Sequence, residues 1–356
     1  MKLNKLETVG WNRSVQEIDE EKIGRVIAVQ KNSYRVLDGE MEYFSHLSGK
    51  FINEAYSPLD YPAVGDWVEV QKLVEEKKAV INRLLPRKSQ FVRQAAGTKT
   101  EAQIVAANMD TVFIVNSLNH DLNLRRIERY ILSTYDSGAT PVIVLTKSDE
   151  CSPEEVQAAI THVEEVAIGV PIIPVSSITM DGIEELISYL PSGKTAALLG
   201  SSGVGKSTLV NTLIGNVVQE TKDVRTGDSK GRHTTTHREM FLLPNGSLLI
   251  DTPGMRELQL WEGESSIDTT FQDIEVLEKN CKFTDCQHET EPGCSVQEAI
   301  RNGDLSEGRY QSYLKLLREL AYEKRKQDQK AQLEEKNKWK KISKNQKNKH
   351  KHRKKG

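Results

Sequence analysis

The sequence predicts an α/β protein. A parallel sheet covered by helices lies between a small N-terminal β-barrel and a mainly helical C-terminal region that holds a metal. Three observations predict it. From about residue 108 to 260, near-continuous apolar runs alternate with helical stretches, as strands buried on both faces and joined by crossover helices require. Before them, residues 22–88 carry short alternating segments punctuated by turn residues. After them, three of the four cysteines crowd into 281–294 beside a histidine.

Composition narrows the class. The chain has 356 residues, 37% hydrophobic and 28% charged, enough for two or three domains with ample cores. No stretch approaches the roughly 18 uncharged apolar residues of a membrane span. The opening MKLNKLETVGWNRS lacks the apolar run and cleavage site of a signal peptide. Four cysteines in this length make no disulfide framework. The expected setting is the reducing cytoplasm. The net charge of −2 hides an asymmetry: from Lys324 to Gly356 there are 15 Lys and Arg against 3 Asp and Glu, which leaves −14 on the remainder. A basic tail on an acidic body suits a polyanion such as nucleic acid, although a solubilising tail has the same composition.

In order along the chain, residues 1–21 read as a loose, polar N-terminus. The segments GRVIAVQ, SYRVLDG, MEYFSHLSG, DWVEVQK and KAVINRLL within 22–88 read as strands, broken at Gly39, Gly49 and Pro62-Ala63-Val64-Gly65. A closed barrel of OB type is the expectation, with an SH3-like barrel as its rival. Residues 105–262 hold the sheet domain: strand TVFIVNSL, helix LRRIERYILSTYDSG closed by Gly138, and strand PVIVLTKSD. Then come a helix opened by Ser152-Pro153-Glu154-Glu155, strand VPIIPVSS, helix DGIEELISYL, strand KTAALLG, helix KSTLVNTLI and strand SLLIDTPG. Residues 263–323 form the metal-binding region. The tail, 324–356, is expected to stay disordered until bound.

The strongest motif is Gly200-Ser201-Ser202-Gly203-Val204-Gly205-Lys206-Ser207. It matches G-x-x-x-x-G-K-[ST] between a strand and a helix, the context a phosphate loop needs. Its glycines let backbone N–H groups turn onto phosphates, Lys206 neutralises the β/γ oxygens, and the Ser207 hydroxyl ligates Mg²⁺. Thr208 continues the loop into the helix. A Gly-rich turn can be mere punctuation, but the Lys-Ser pair and both flanks argue against that here.

Base choice is read from Thr146-Lys147-Ser148-Asp149, which follows a strand where open α/β sheets bind ligands. Asp149 accepts hydrogen bonds from donors that guanine has and adenine lacks; a helix-capping Asp is the plainer alternative. Ser176-Ser177 supplies a second loop over the base, or an ordinary turn. Asp251-Thr252-Pro253-Gly254 ends the last strand: Asp251 holds Mg²⁺ through water, and the Gly254 N–H reaches the γ-phosphate. Arg232-His233-Thr234-Thr235-Thr236 lies where a switch threonine is expected, with Thr235 first choice for Mg²⁺ and Thr234 and Thr236 as alternatives. Together these motifs predict a GTPase. The base-reading elements precede the phosphate loop, the reverse of the Ras-like order, so the domain is expected to be circularly permuted.

Cys281-x4-Cys286-x-His288-x5-Cys294 supplies three thiolates and an imidazole, the complement of a closed structural zinc site, against the alternative of scattered free thiols. Cys151, His120 and His162 read as ordinary surface residues.

The barrel, the permuted order of TKSD, GSSGVGKS, RHTTT and DTPG, and C-x4-C-x-H-x5-C resemble the RsgA (YjeQ/YloQ) family over about 22–320. The resemblance implies a GTPase that depends on the small ribosomal subunit and assists its late maturation, with hydrolysis driving release. It implies ribosomal RNA as partner, neither DNA nor membrane, and a monomer by default. The position after the D-x-x-G motif, where Ras-like enzymes have a glutamine, is Met255, so intrinsic hydrolysis is expected to be slow. The family resemblance points to His233 as the water-positioning residue. Gly203 replaces the Asn that binds K⁺ in some GTPases, so no K⁺ activation is expected by that route. Two other readings are an RNA-binding scaffold that senses GTP with negligible turnover, and a metabolic GTPase without an RNA partner.

Overall fold

The computed structural model describes residues 5–11, 19–30, 33–94, 102–119, 122–215, 238–251, 267, 270–322 and 325. The expected switch residues His233 and Thr235, as well as Gly254, lie outside the described residues; of the basic tail 324–356 only Arg325 is among them. The chain divides into two compact units, Met1–Gln259 and Leu260–Gly356.

The first unit opens with a barrel of β1 (Ile23–Gln30), β2 (Ser33–Leu37), β3 (Glu42–Leu47), β4 (Trp67–Leu73) and β5 (Lys78–Leu84). The pairing order is β1-β2-β3-β5-β4, closed by β1–β4, with β3 and β5 parallel. That order, with the helix α1 (Gly49–Glu54) between β3 and β4, is the OB arrangement and excludes the SH3-like rival. Alternation drives it: in β2, Tyr34 and Val36 point inward, and in β3, Tyr43 and Ser45 do. They meet Val26, Val68, Val70 and Ile81 in the interior.

A hairpin that the sequence reading left unassigned follows, β6 (Gln90–Gln94) and β7 (Ala102–Ala107). Next come the strands β8 (Thr111–Ser117), β9 (Thr140–Thr146), β10 (Ile172–Val175), β11 (Thr195–Leu199), β12 (Glu239–Leu242) and β13 (Leu248–Asp251). They order as β10-β9-β8-β11-β13-β12, all parallel except the antiparallel β12. Every residue of β8 and β11 is buried, as expected of central parallel strands. One face is covered by α2 (Leu124–Asp136) and α3 (Pro153–Glu164), through Ile127, Tyr130, Ile131 and Val163. The other is covered by α4 (Ile183–Ser188) and α5 (Lys206–Ile214), through Leu186, Leu209 and Val210.

β12 also pairs with β1, at Glu239 and Ala28, so sheet and barrel are continuous. The N-terminal segment departs from the expectation of a loose 1–21. Leu6 and Val9 are 3% and 1% exposed, and the Trp11 ring meets the Trp67 ring edge-on at 4.8 Å. Apolar residues at 6, 9 and 11 give this otherwise polar stretch one face to bury.

Arg25 ties these parts together. It is 1% exposed and lies 5.1 Å from the Trp67 ring centroid. Its guanidinium donates to the carbonyls of Val9 (2.6 Å), Gly65 (3.3 Å) and Asn108 (3.2 Å), from the N-terminus, the barrel and the entry to β8. Burial pushes its pKa down to about 10, still charged at neutral pH. The Gly65 turn needs glycine: φ is +95° and a Cβ would stand 2.0 Å from the Ala107 oxygen.

In the second unit, α6 (Gln272–Lys279), α7 (Ser295–Asn302) and a helix over 307–322 pack about Phe271, Ile274, Tyr310 and Tyr313. Arg309, 3% exposed, grips both carboxylate oxygens of Asp273 at 2.7 and 2.8 Å and the Thr270 carbonyl at 3.0 Å.

Replacing Arg25 by Met keeps the volume and strands three buried carbonyls. The expected loss is about 3 kcal/mol or more in urea unfolding. Arg25→Lys is expected to fall between Met and the native residue.

Candidate functional site

The parallel register brings the sequence-predicted residues to one edge. Val175 aligns with Thr146, Thr146 with Ser117, Leu199 with Ile114, and Ala197 with Ile250. The carboxyl ends of β9, β10, β11 and β13 therefore present Thr146–Asp149, Ser176-Ser177, Gly200–Ser207 and Asp251 side by side, where open α/β sheets bind ligands.

The loop after β11 has the shape a phosphate loop requires. Gly200, Gly203 and Gly205 have φ of +156°, +85° and +89° just before α5, the glycine-permitted turns that a phosphate-binding loop at a helix start requires. Gly200 has no room for a side chain, since a Cβ would lie 2.3 Å from the Val115 oxygen. Val204 is buried and pins the loop to the sheet. The Lys206 ammonium is held by the carbonyls of Gly200 (2.8 Å) and Ser201, at the mouth of the loop. Ser207 is half-buried and Thr208 exposed on the first turn of α5. Asp251, 6% exposed, ends β13 beside β11.

Base-side and phosphate-side loops touch. The Thr146 hydroxyl donates to the Val204 carbonyl at 2.6 Å. Lys147 then turns the chain with φ +62°, and Ser148–Glu150 form a 3₁₀ turn on which Asp149 is exposed. Ser176 is fully buried, and its hydroxyl accepts from the N–H groups of Ile178 (3.1 Å) and Thr179 (3.0 Å). It therefore shapes its loop, and of this pair Ser177, half-buried, is the one left to face a ligand. Sequence reasoning missed Asn119 and Arg126, which bond to Glu150 and Ser201; the signal was their place just after a strand end in the same sheet.

In the second unit, one ligand atom each from Cys281, Cys286, His288 and Cys294 lies within 4.8 Å of the others. His288 Nδ1 is 3.5 Å from the Cys281 sulfur and 3.4 Å from that of Cys294, and those two sulfurs are 4.0 Å apart. A tetrahedral zinc with its usual bond lengths needs edges of about 3.5–3.8 Å; the two nitrogen–sulfur separations match and the donor atoms all lie within about 1 Å of that geometry, so the set is compatible with that ion. Cys281 follows α6 and Cys294 caps α7, accepting from the Gln297 N–H at 3.4 Å. His288 has φ +58°, held by Gln297 on its carbonyl at 2.7 Å. Its Nε2 faces Glu278 at 3.5 Å, and Tyr313 donates to the same carboxylate at 3.1 Å. Burial opposes ionisation of Cys281, but the N–H groups of Ser295 and Val296 outweigh it and lower the pKa; burial and the neighbouring thiols push Cys286 up to about 11. A divalent cation removes that conflict by stabilising every thiolate.

Comparison with known proteins agrees with this geometry. The RsgA GTPase family model matches residues 84–261. A model of ABC transporters matches 183–353, a span that includes the phosphate loop common to many nucleotide-binding proteins. Over 328 residues the chain is 48% identical to small ribosomal subunit biogenesis GTPase RsgA 1 of Oceanobacillus iheyensis, covering 91% of this chain and 92% of the relative. It is 46% identical over 301 residues to RsgA 2 of Lactiplantibacillus plantarum, covering 85% and 84%. The crystal structure of YjeQ from Thermotoga maritima aligns with a TM-score of 0.61 at 28% identity, over 84% of this chain and 98% of that one. YloQ, described as a circularly permuted GTPase, aligns with a TM-score of 0.61 at 23% identity, over 87% and 98%, a likeness of fold.

Gly200→Ala is expected to force the loop off the sheet. Nucleotide binding should fall by at least tenfold in a fluorescent-nucleotide titration, with a lowered Tm. Gly49→Ala, whose Cβ meets nothing within 4 Å and whose backbone is not left-handed, should leave binding unchanged.

Proposed function

The chain belongs to the RsgA GTPase family, and from that premise we propose that it hydrolyses GTP to GDP and phosphate and assists maturation of the small ribosomal subunit. The observation that carries the reading is the Thr146–Val204 hydrogen bond, which locks a base-reading turn against a phosphate loop so that one nucleotide spans both. Asp149 reads the guanine edge, with Lys147 along the base and Ser177 beside it. The loop from Gly200 to Thr208 cradles the phosphates, and Lys206 leaves its carbonyl partners for the β/γ oxygens. Ser207 and Asp251 would hold Mg²⁺, with Thr235 as a further ligand; the ion would supply charge neutralisation for the phosphates.

His233 orients the attacking water in this proposal, because Met255 has no group to do so. Small-subunit contact raises turnover by acting through His233. Ribosomal RNA is the partner of the barrel, the cysteine-bearing unit and the Lys-rich tail, in the cytoplasm and from a monomer. One structural Zn²⁺ sits on Cys281, Cys286, His288 and Cys294.

Steady-state GTP hydrolysis with and without small subunits tests the reading. Strong stimulation by small subunits alone is expected; equal, near-zero rates with small subunits, large subunits and bare RNA would favour the scaffold. Lys206→Ala should cost at least a hundredfold in kcat, and His233→Ala should abolish the stimulated rate. Asp149→Asn should reduce the preference for GTP over ATP by roughly two orders of magnitude. For zinc, Cys294→Ser should remove the metal measured in the purified protein and lower the Tm; full metal content in that variant would refute the ligand set.

A further inference from the structure

The crossover that leaves β8 touches both loops of the nucleotide site. At its start, the Ser117 hydroxyl donates to the amide oxygen of Asn119, which orients that amide. The Asn119 amide nitrogen then donates to the Glu150 carboxylate at 2.9 Å. Glu150 closes the 3₁₀ turn that carries Asp149. At the far end, Arg126 donates through Nη1 to the Ser201 hydroxyl at 3.0 Å. Ser201 is thus gripped twice, by Arg126 on its hydroxyl and by Lys206 on its carbonyl.

The helix that carries Arg126 is itself fixed. Asn123 caps it by accepting from the Arg126 N–H at 3.1 Å, and Ile127, Tyr130 and Ile131 are 0–2% exposed against the sheet. A guanidinium on so rigid a support loses little further freedom when it bonds.

We propose that Ser117, Asn119 and Arg126 form a brace that sets the spacing and orientation of the base-reading turn against the phosphate loop, with Asn119 and Arg126 as positioning residues for the guanine nucleotide. The inference rests on the nucleotide reading above. It differs from the Thr146–Val204 contact in its partners: that bond joins the end of β9 to Val204, whereas the brace reaches Glu150 and Ser201. Neither residue touches the ligand. Each acts through a neighbour, Asn119 through Glu150 on the turn of Asp149, and Arg126 through Ser201 on the phosphate loop.

The two ends of the brace have separable signatures. The test is displacement of a fluorescent GDP analogue by GDP, GTP and ATP from the full-length protein. Arg126→Ala should weaken GDP and GTP alike by about tenfold, the worth of a charged hydrogen bond, and leave the preference for GTP over ATP intact. Ser201→Ala should do the same, and the double variant should be no weaker than either single one. Asn119→Ala should instead reduce the preference for GTP over ATP by about tenfold. Arg126→Lys, which keeps a donor of similar reach, should recover part of the loss, with the Tm of each variant recorded alongside. Wild-type affinities in the Arg126 variant, or additive effects of Arg126→Ala and Ser201→Ala, would overturn the phosphate end. Asp149→Asn in the same series separates the two readings. If it abolishes base preference while Asn119→Ala does not alter it, the brace fails; if Asp149→Asn also leaves preference intact, the base-reading role of Asp149 fails.

Discussion

A single buried cation organises the first unit. Arg25 is shut away from water, so its charge must be satisfied by oxygens of the chain. Those oxygens belong to Val9, Gly65 and Asn108, three segments far apart in sequence. The guanidinium is the side chain suited to the task, because its planar fork serves several acceptors at once and stacks on Trp67. The N-terminal segment, the barrel turn and the entry to β8 must therefore be in place together. Asp66, fully buried beside Gly65, adds a second such constraint through the Arg87 guanidinium, at 2.7 and 2.8 Å.

That entry matters because β8 is the central strand of the sheet and leads into the brace over the nucleotide site. Moving the termini has left the sheet order intact, since parallel pairing depends on register and burial and not on where the chain is cut. What permutation changes is the neighbourhood. The barrel precedes the base-reading strands, and β12, which enters the sheet just after the expected switch residues, pairs with β1 and ion-pairs Glu239 to Arg35. The barrel strand β1 thus pairs directly with the strand that follows the proposed catalytic histidine in sequence.

The second unit relies on a different economy. Its helices pack on a core of their own, but its cysteine-bearing loop contains little that could be buried. Four convergent ligand atoms, with Glu278 and Tyr313 behind the imidazole, are placed so that a metal would tie that loop to the helices. Arg309 on Asp273 and the packed rings of Phe271, Tyr310 and Tyr313 join the helices that flank it.

Much of this was legible in sequence, for definite reasons. The glycine spacing from Gly200 to Gly205, the apolar runs of β8, β9 and β11, and the cysteine spacing are local patterns, each set by a backbone angle, a period or a ligand count. The five barrel strands were equally visible, but OB against SH3-like depended on β3 pairing in parallel with β5, a contact between distant segments. The β6–β7 hairpin escaped because its strands have no clean alternation. The N-terminus looked loose because three apolar residues show no periodic signal until the surface they cover exists. Ser176 looked like a ligand contact until the turn it caps was seen to use its hydroxyl. By itself, then, the sequence determined most of the elements, the phosphate-loop pattern and the cysteine–histidine ligand set, all of them short-range properties. Tertiary structure alone decided which strands close the barrel, what Arg25 holds, and that Asn119 and Arg126 reach the two nucleotide loops, because hydrogen bonds between distant segments leave no mark on local pattern.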